Sequence, residues 1–281
     1  MSNFTFLESH WTDLAKLGDL SEKYVYSDPN TSVIKQGMLS EVMVKYMLAY
    51  DGIAEPEYDN THANRIRLLK QNDLLPYEVK NTLYILRKDR NNAAHNAADE
   101  GVRALSNLEL LYDLCVWFMQ TYGDYNYVPE PYVVPVDMVV NLEDLEQENK
   151  ELEARNKQLL IELQTIQQQG KADSNRRAVA YSKALALKLT EAQTRELIDD
   201  QLRKCGWEAD TNEIRYSKGT RPTKGKNLAI AEWPTDSKFG NNGYSDYALF
   251  IGEKLVGIVE ANKKHTNISS VLDGQCKDYA K

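Results

Sequence analysis

The stretch NLAIAEWPTDSKFGNNGYSDYALFIGEKLVGIVEA, residues 227–261, decides the fold of the C-terminal part of the chain. Short apolar runs in it alternate with turn residues, which is the pattern of strands joined by tight connections. The predicted strands are residues 228–233, 247–251 and 255–260. Because only Gly252 and Glu253 separate the last two runs, we expect these strands to pair like a hairpin within a mixed sheet.

Helices are predicted on both sides of these strands. One covers about residues 177–205 and ends at Gly206, in the position after a helix that glycine favours. The other covers residues 268–280. The order helix, strands, helix predicts an α/β domain over residues 171–281.

Two carboxylates mark the strand ends as a candidate metal site. Asp246 opens one strand (SDYALFIG) and Glu260 closes the next (KLVGIVEAN), so pairing of the strands can bring both to one end of the sheet. Hard oxygen donors are what Mg²⁺ prefers, with water and phosphate filling its other positions. The metal would lower the pKa of a bound water and stabilise charge on a phosphate under attack.

The residues after these carboxylates strengthen the interpretation. A lysine follows Glu260 within three residues, and Gln275 and Tyr279 lie four apart on one face of the last predicted helix. This arrangement resembles the PD-(D/E)xK nuclease fold, in the branch that carries a QxxxY motif. The resemblance implies that Asp246 and Glu260 bind Mg²⁺, while Gln275 and Tyr279 hold the substrate backbone or support the metal ligands.

Longer stretches are similar to the restriction (R) subunit of type I restriction-modification enzymes. In that family a glycine-rich loop precedes the Asp-Tyr strand, as Gly240 and Gly243 do here. TEAQTRELIDDQLRKCGWE (190–208) is similar to the leading helix of the family's nuclease domain, and FLESHWTDLAKLGDLSEKYVYSDPNTSVIKQGMLSE (6–41) to the helical domain that begins many R subunits. The resemblance spans nearly all 281 residues and implies an endonuclease that cleaves DNA.

The same resemblance implies partners and a motor. The complete R subunit continues into a superfamily 2 helicase-like motor that hydrolyses ATP, and modification and specificity subunits methylate DNA and choose its sequence. Nothing in these 281 residues encodes that motor, so we expect the chain to be the N-terminal part of a longer subunit.

One position departs from the family motif Glu-x-Lys. The sequence reads Glu260-Ala261-Asn262-Lys263, and Asn262 has no positive charge. Successive side chains in a strand point to opposite faces, so Lys263 would need a bulge to turn towards Glu260. We expect Lys263 to take the catalytic-lysine role; the alternative is a degenerate nuclease domain that serves as a non-catalytic assembly module.

The leading helix of the family often supplies a further acidic metal ligand. Glu191 is the best match for it, with Glu196 second. The alternative for Glu191 is a solvated helix face, where it can pair with Arg195 four residues later.

A basic run without acids, RYSKGTRPTKGK, could follow DNA phosphates into the site. Its cations are Arg215, Lys218, Arg221, Lys224 and Lys226. A flexible, solvated loop is the alternative.

Residues 1–128 are predicted to form a helical domain, because apolar residues recur at steps of three and four. Trp11, Trp117 and Phe118 are expected core residues. The pattern Arg90-x-x-x-x-His95 resembles the HEPN superfamily, some members of which are metal-independent RNases. There Arg90 would stabilise phosphate charge and His95 would act as general acid and base.

Residues 129–170 are predicted to be an extended boundary followed by a heptad linker helix. Three prolines in 129–141 prevent a helix there. From 142 to 166 a seam with steps of three and four predicts a coiled coil and self-association through this segment. The seam consists of Leu142, Leu145, Asn149, Leu152, Asn156, Leu159, Leu163 and Ile166. A single linker helix that packs its stripe on a neighbour is the alternative.

Charge and composition limit the class of protein. The net charge of −8 divides into −12 over residues 1–170 and +4 over residues 171–281, which is compatible with DNA contact in the second part. The three cysteines form no CxxC pair, no apolar stretch is long enough for a membrane span, and the start lacks the features of a signal peptide. We therefore expect a cytoplasmic protein without a membrane partner.

Overall fold

The computed structural model describes residues 2–55, 58–93, 100–137, 142–235 and 243–261. The chain divides into two compact units, Met1–Leu189 and Thr190–Lys281. The first is helical and the second contains a four-stranded mixed sheet, so the predicted combination of a helical part and a part with a mixed sheet is confirmed.

The helical unit is built around one central helix. Its helices are α1 (Thr12–Tyr24), α2 (Pro29–Tyr50), α3 (His62–Gln71), α4 (Tyr77–Ala93), α5 (Glu100–Tyr122), α6 (Leu142–Gln169) and α7 (Ser174–Ala184). Pro29 at the first position and the Asp28 side chain, which accepts from the Thr31 N–H, start α2. This helix contacts α1, α3, α4, α5 and α6 because it is apolar on most sides.

The predicted core aromatics are buried in this unit. Trp11, Trp117 and Phe118 are nearly inaccessible to solvent. The Trp11 and Phe118 ring centroids lie 4.4 Å apart, and the Trp11 Nε1–H donates to the Tyr50 hydroxyl at 3.0 Å. Burial of rings of this size supplies much of the stability of a small helical domain.

The second half of the predicted heptad seam packs within the same chain. Leu159 is 3% exposed, and Leu163 and Ile166 pack against the same core. The Tyr46 hydroxyl of α2 also donates to Glu162 at 3.3 Å. These three seam positions therefore follow the single-helix alternative, while the side chains of the other five lie outside the described residues.

The observed unit boundary differs from the predicted domain start at residue 171. The Trp117 Nε1–H donates to the Ala180 carbonyl at 2.9 Å, and Arg176 Nη1 lies 2.9 Å from Asp51 Oδ1, so α7 packs with the helical unit. The unit that begins at Thr190 carries 14 Lys and Arg against 14 Asp and Glu, so the net positive charge predicted for this part belongs to residues 171–189.

The sheet unit begins with a helix that the sequence predicted to be longer. The predicted helix over 177–205 is two helices, α7 and α8 (Glu191–Lys204), with turn and extended residues between them. Thr190 starts α8 with a capping box in which its side chain and that of Gln193 bind each other's backbone N–H groups. Gly206, with φ of +89°, follows the Cys205 cap as predicted.

Four strands form one mixed sheet in the order β1 (Glu208–Ala209), β2 (Asn227–Thr235), β3 (Gly243–Ile251) and β4 (Lys254–Val259). β1 is parallel to β2, and the other pairs are antiparallel. The predicted hairpin is confirmed, since Ile251 pairs with Lys254 across a turn in which Gly252 has φ of +61°.

Alternation along the strands gives the sheet two apolar faces. On one face Ala229, Ala231 and Tyr247 pack with Leu202 and Ile198 of α8. Leu228, Ile230, Ala248 and Phe250 form the opposite face with Tyr216 and Trp233. The helix therefore covers one side of the strands at their middle.

No helix in the described parts of the chain is long and apolar enough to cross a membrane.

Candidate functional site

Three carboxylates adjoin one row of the sheet. Tyr247 of β3 pairs with Ala231 of β2 on one side and with Val259 of β4 on the other. The residues next to this row, at the same end of the three strands, are Glu232, Asp246 and Glu260. Two of them were predicted from sequence, and strand register rather than chain proximity brings all three to this end.

Asp246 binds a backbone donor and a side-chain donor. Its Oδ2 accepts from the Ala261 N–H at 2.7 Å, which holds the chain immediately after Glu260 against β3. Its Oδ1 accepts from Arg195 Nη2 at 2.8 Å. The chain that follows β4 therefore lies beside Asp246. The side chain of Glu260, the residue before Ala261, is partly buried.

Arg195 of α8 is the centre of the cluster. Its Nη2 lies 2.9 Å from Glu191 Oε1 as well as 2.8 Å from Asp246 Oδ1. Its Nη1 lies 3.3 Å from Glu232 Oε1, and the side chain is 13% exposed. Burial alone would lower the pKa of this guanidinium, but the three neighbouring carboxylates outweigh burial, with Asp246 contributing most, and raise the pKa above its usual value.

Glu232 has an unusual backbone conformation for a non-glycine residue. Its φ is +50°, in the left-handed region that β-carbon contacts disfavour. Side chains three residues apart in a regular strand point to opposite faces, yet Ile230 and Trp233 pack on the same face of the sheet. The left-handed conformation of Glu232, which lies between them, accounts for this change of face. Glu232 also forms an ion pair with Arg215. Such conformations persist only where surrounding contacts hold them, and they are concentrated at functional sites.

A buried hydroxyl network fixes α8 against β3. The Tyr247 hydroxyl donates to the Arg195 carbonyl at 3.2 Å and lies 2.9 Å from Asp199 Oδ1 and 2.6 Å from Thr211 Oγ1. Asp199 also accepts from the Thr211 N–H at 2.8 Å. Burial and the nearby Asp199 raise the pKa of the Tyr247 phenol above its usual value. The backbone of Arg195 is therefore held in place while its side chain reaches the carboxylates.

Glu191, the predicted acidic residue of the leading helix, has the contact that the alternative interpretation expected. It lies at the first position of α8, pairs with Arg195 four residues later, and its side chain is 74% exposed. The same guanidinium nevertheless joins Glu191 to Asp246 and Glu232. The second match, Glu196, lies on the same helix and is partly buried.

The donor set is compatible with a divalent metal in its chemistry. Carboxylate oxygens are the ligands that Mg²⁺ prefers, and those of Glu191, Glu232 and Asp246 all contact the same guanidinium. The Arg195 guanidinium occupies the space between these carboxylates. Among the residues that the structure describes, no group of three or more His, Cys, Asp or Glu side chains is preformed for a metal ion.

The predicted DNA-binding cations are partly used within the unit. Arg215 pairs with Glu232, Lys218 with Glu213 at 2.8 Å, and Lys226 with Glu208 at 3.1 Å. The Arg221 guanidinium lies 3.8 Å from the ring centroid of Tyr216 and donates to its carbonyl at 3.0 Å. Lys224 is exposed beside the turn at Gly225, whose φ is +78°. These contacts give the loop a defined path, and its DNA-binding role stays a prediction.

Several predicted site residues lie outside the described part of the chain. They are Asn262, Lys263, Gln275 and Tyr279, together with the predicted helix 268–280 and, in the helical unit, His95. The bulge that would turn Lys263 towards Glu260 lies there too.

Arg90, the other residue of the RxxxxH pattern, binds a carboxylate. Its Nη1 lies 2.5 Å from Glu41 Oε2, and its side chain occupies the space where a β-carbon on Gly37 would be. The RNase interpretation stays a prediction.

Sequence reasoning missed Glu232 and the central position of Arg195. A usable signal existed for Glu232, because LAIAE (228–232) ends an apolar run on a glutamate, as GIVE (257–260) does. Arg195 was considered only as a partner of Glu191, since its contacts with Glu232 and Asp246 depend on tertiary structure.

Comparisons with known proteins agree with the predicted family. Residues 208–281 match a family model described as the second domain of the type I restriction enzyme EcoKI endonuclease subunit. The match covers the sheet with Glu232, Asp246 and Glu260, and begins after α8. No solved structure gives a significant match.

A curated relative shares similarity over a much longer stretch. The chain is 29% identical over 324 aligned residues to the type I restriction enzyme EcoKI endonuclease subunit of Escherichia coli (strain K12). The alignment covers 97% of this chain but 27% of that subunit, so the chain spans about a quarter of the length of its relative. The chain is therefore similar to the endonuclease subunit of a type I restriction enzyme, over residues 208–281 by the family model and over nearly its whole length by the relative.

Proposed function

We propose that this chain contains the DNA-cleaving part of a type I restriction enzyme subunit, and that it hydrolyses phosphodiester bonds with the help of Mg²⁺. The fold proposed for the sheet unit is the PD-(D/E)xK nuclease fold. The observation that carries the proposal is the convergence of Glu191, Glu232 and Asp246 on one cation, beside the strand end that leads to Glu260.

The residues of the chain would hold and orient the metal. Asp246 and Glu260 are the proposed principal ligands, with Glu191 and the newly found Glu232 as additional acids. Bound Mg²⁺ would supply an activated water and offset charge on the phosphate. Ala261 donates to Asp246 and so keeps the carboxylate of β3 aligned with the end of β4.

Further roles are proposed for residues after Glu260. Lys263 would orient the attacking water and neutralise charge on the phosphate in the transition state. Gln275 and Tyr279 would hold the DNA backbone or support the metal ligands. Arg215, Lys218, Arg221, Lys224 and Lys226 would contact phosphates beyond the cleaved bond.

The proposed partners follow from the relative. That protein is named as an endonuclease subunit of a type I restriction enzyme, and this chain spans 27% of it. We propose DNA as substrate, modification and specificity subunits as partners, and an ATP-driven motor elsewhere in the full subunit.

The direct test is cleavage of nucleic acid by the purified 281-residue chain. Supercoiled plasmid DNA and a matched RNA are each incubated with Mg²⁺ and with a chelator. Metal-dependent nicking of DNA is expected. Metal-independent RNA cleavage that is lost in His95→Ala would support the RNase interpretation instead.

A non-catalytic assembly module remains the second candidate. Two observations favour it: both Asp246 oxygens already accept hydrogen bonds, and the motif lysine is replaced by Asn262. For this candidate, neither nucleic acid is cleaved under any metal condition, and Asn262→Lys does not restore cleavage.

A further inference from the structure

We propose that Arg195 is the built-in counter-ion of the candidate site, and that a divalent metal binds there only by displacing its guanidinium from Asp246. This inference rests on the proposed function, because it assumes that the carboxylates are metal ligands. Arg195 lies on α8, outside the residues that the family model matches, and would control when the site binds a metal ion.

A metal ion at this site would use carboxylates that Arg195 already contacts. One guanidinium contacts three carboxylates, and its Nη2 alone reaches Glu191 at 2.9 Å and Asp246 at 2.8 Å. A dication that used the Asp246 and Glu232 oxygens would lie within the same cluster as this fixed positive charge. Like charges at such separations repel, and the repulsion is stronger where solvent is partly excluded; the side chains of Arg195 and Asp246 are 13% and 20% exposed. Metal and guanidinium therefore compete for the carboxylates.

The Arg195 guanidinium can leave Asp246 by rotating towards the exposed side chain of Glu191. Glu191 lies one turn earlier on α8, and its side chain is 74% exposed. Rotation of the Arg195 side chain towards solvent can therefore keep the Glu191 contact while it releases Asp246. The backbone need not move, because the Arg195 carbonyl accepts from the buried Tyr247 hydroxyl.

Within the described residues, the Arg195 guanidinium is held only by its two terminal nitrogens, Nη1 and Nη2. Its Nε is buried and makes no hydrogen bond within the described residues, so the contacts are made by the two terminal nitrogens. A bidentate fork on a single carboxylate would be stiffer than this shared arrangement. Exchange for a metal thus breaks two terminal contacts, those with Asp246 and Glu232.

The test is a metal-binding isotherm for the 281-residue chain, measured calorimetrically with Mg²⁺ and with Mn²⁺ in the absence of DNA. Arg195→Gln is expected to bind roughly ten-fold more tightly than the wild type, a change of about 1.4 kcal/mol. Arg203→Gln is the matched control, since it removes one positive charge from the same helix, where Arg203 donates to the Ala209 carbonyl. It should leave metal affinity unchanged. Equal or weaker binding by Arg195→Gln would overturn the inference.

Two further variants keep the result unambiguous. Arg195→Lys retains the charge but cannot bridge three carboxylates, so its affinity should lie between those of the wild type and Arg195→Gln; if Arg195→Gln does not fold, unchanged affinity in Arg195→Lys overturns the inference. Asp246→Asn added to Arg195→Gln should abolish the gain. If the gain appears but no variant cleaves DNA, the proposed function fails while the counter-ion role stands. If metal-dependent cleavage occurs without any gain, the counter-ion role fails alone.

Discussion

The two units contain ionic clusters of opposite composition. In the helical unit one carboxylate, Glu41, is surrounded by cations: Arg65 Nη1 at 2.8 Å, Arg90 Nη1 at 2.5 Å and Lys45 Nζ at 4.0 Å. In the sheet unit Arg195 is surrounded by three carboxylates, one of which, Glu232, also pairs with Arg215. The first cluster has an excess of positive charge and the second an excess of negative charge.

The surroundings of Glu41 show the effect of this excess. Burial would raise the pKa of Glu41, but the hydrogen bond from Arg90 and the charges of Lys45 and Arg90 outweigh it and lower that pKa. Burial, with a contribution from Arg90, lowers the pKa of the neighbouring His62 to about 4, so this side chain is neutral at pH 7. The cluster around Glu41 thus disfavours a further positive charge on His62, and such a cluster is suited to stabilising the fold. The cluster at Arg195, by contrast, is suited to accepting a metal ion.

The largest expected effect is on stability, from Glu41→Gln. Removing the carboxylate that joins Arg65 and Arg90 leaves both cations without this partner, while Arg65 keeps Glu55, and should lower the free energy of unfolding by about 3 kcal/mol. Urea denaturation at pH 7 measures it.

The pH dependence of Glu41→Gln provides its control. Because the folded-state pKa of Glu41 is lowered from 4.5, its contribution is present above that value and is lost as the pH falls through the lower one. The difference between wild type and variant should shrink below pH 4.5. A constant difference at all pH values would contradict the ionic role.

Tyr247→Phe should have the next largest effect. It removes the hydroxyl that lies close to Asp199, Thr211 and the Arg195 carbonyl, and should lower unfolding free energy by about 2 kcal/mol. Tyr244→Phe, on the exposed part of β3, is the matched control and should be nearly neutral. If both substitutions cost the same, the hydroxyl network does not hold α8 in place.

Much of the sheet could be predicted, because its determinants are local. Apolar alternation, Gly252 at the turn, and Gly206 after α8 are visible in the sequence and lie where they were expected. The domain start at 171 was not found, because α7 belongs to the helical unit through contacts such as Trp117 with Ala180. The capping box of Thr190 and Gln193 was a missed local signal for the start of α8.

The candidate site was only partly predictable. Asp246 and Glu260 could be chosen because they lay at the ends of the predicted strands; in the structure Asp246 lies within β3, which begins earlier, at Gly243, and Glu260 directly follows β4. Glu232 was missed although the apolar run LAIAE (228–232) ends on it, and its φ of +50° is not indicated by its residue type. The contact of Arg195 with Asp246 joins residues 51 positions apart, which no pattern in a single sequence reveals.

A smaller effect separates the strain at Glu232 from its charge. Glu232→Ala and Glu232→Gly both remove the carboxylate, but only glycine adopts φ of +50° without strain. The glycine variant should be more stable than the alanine variant by about 1 kcal/mol, as measured by thermal unfolding. Equal stabilities would mean that the left-handed conformation is not imposed by the surrounding sheet.

The smallest expected effect concerns the basic loop. Lys224 is exposed and Lys218 is paired with Glu213, so only the first is fully available to a phosphate. Lys224→Ala should reduce the salt dependence of DNA binding by about one phosphate contact, whereas Lys218→Ala should reduce it less. Fluorescence anisotropy over a salt series compares them. A larger loss in Lys218→Ala would contradict this assignment of the loop.

A metal nuclease site built on Asp246 is tested most simply by Mg²⁺-dependent plasmid nicking by the wild type, Asp246→Asn and Glu253→Gln. Glu253 is an exposed carboxylate in the turn between β3 and β4, so it provides a charge-matched control on the same hairpin. If Asp246 is a metal ligand, Asp246→Asn should lower nicking by about 100-fold or more, while Glu253→Gln should cleave like the wild type. Nicking that persists in Asp246→Asn, or that is equally weak in both variants, would contradict a metal nuclease site built on Asp246.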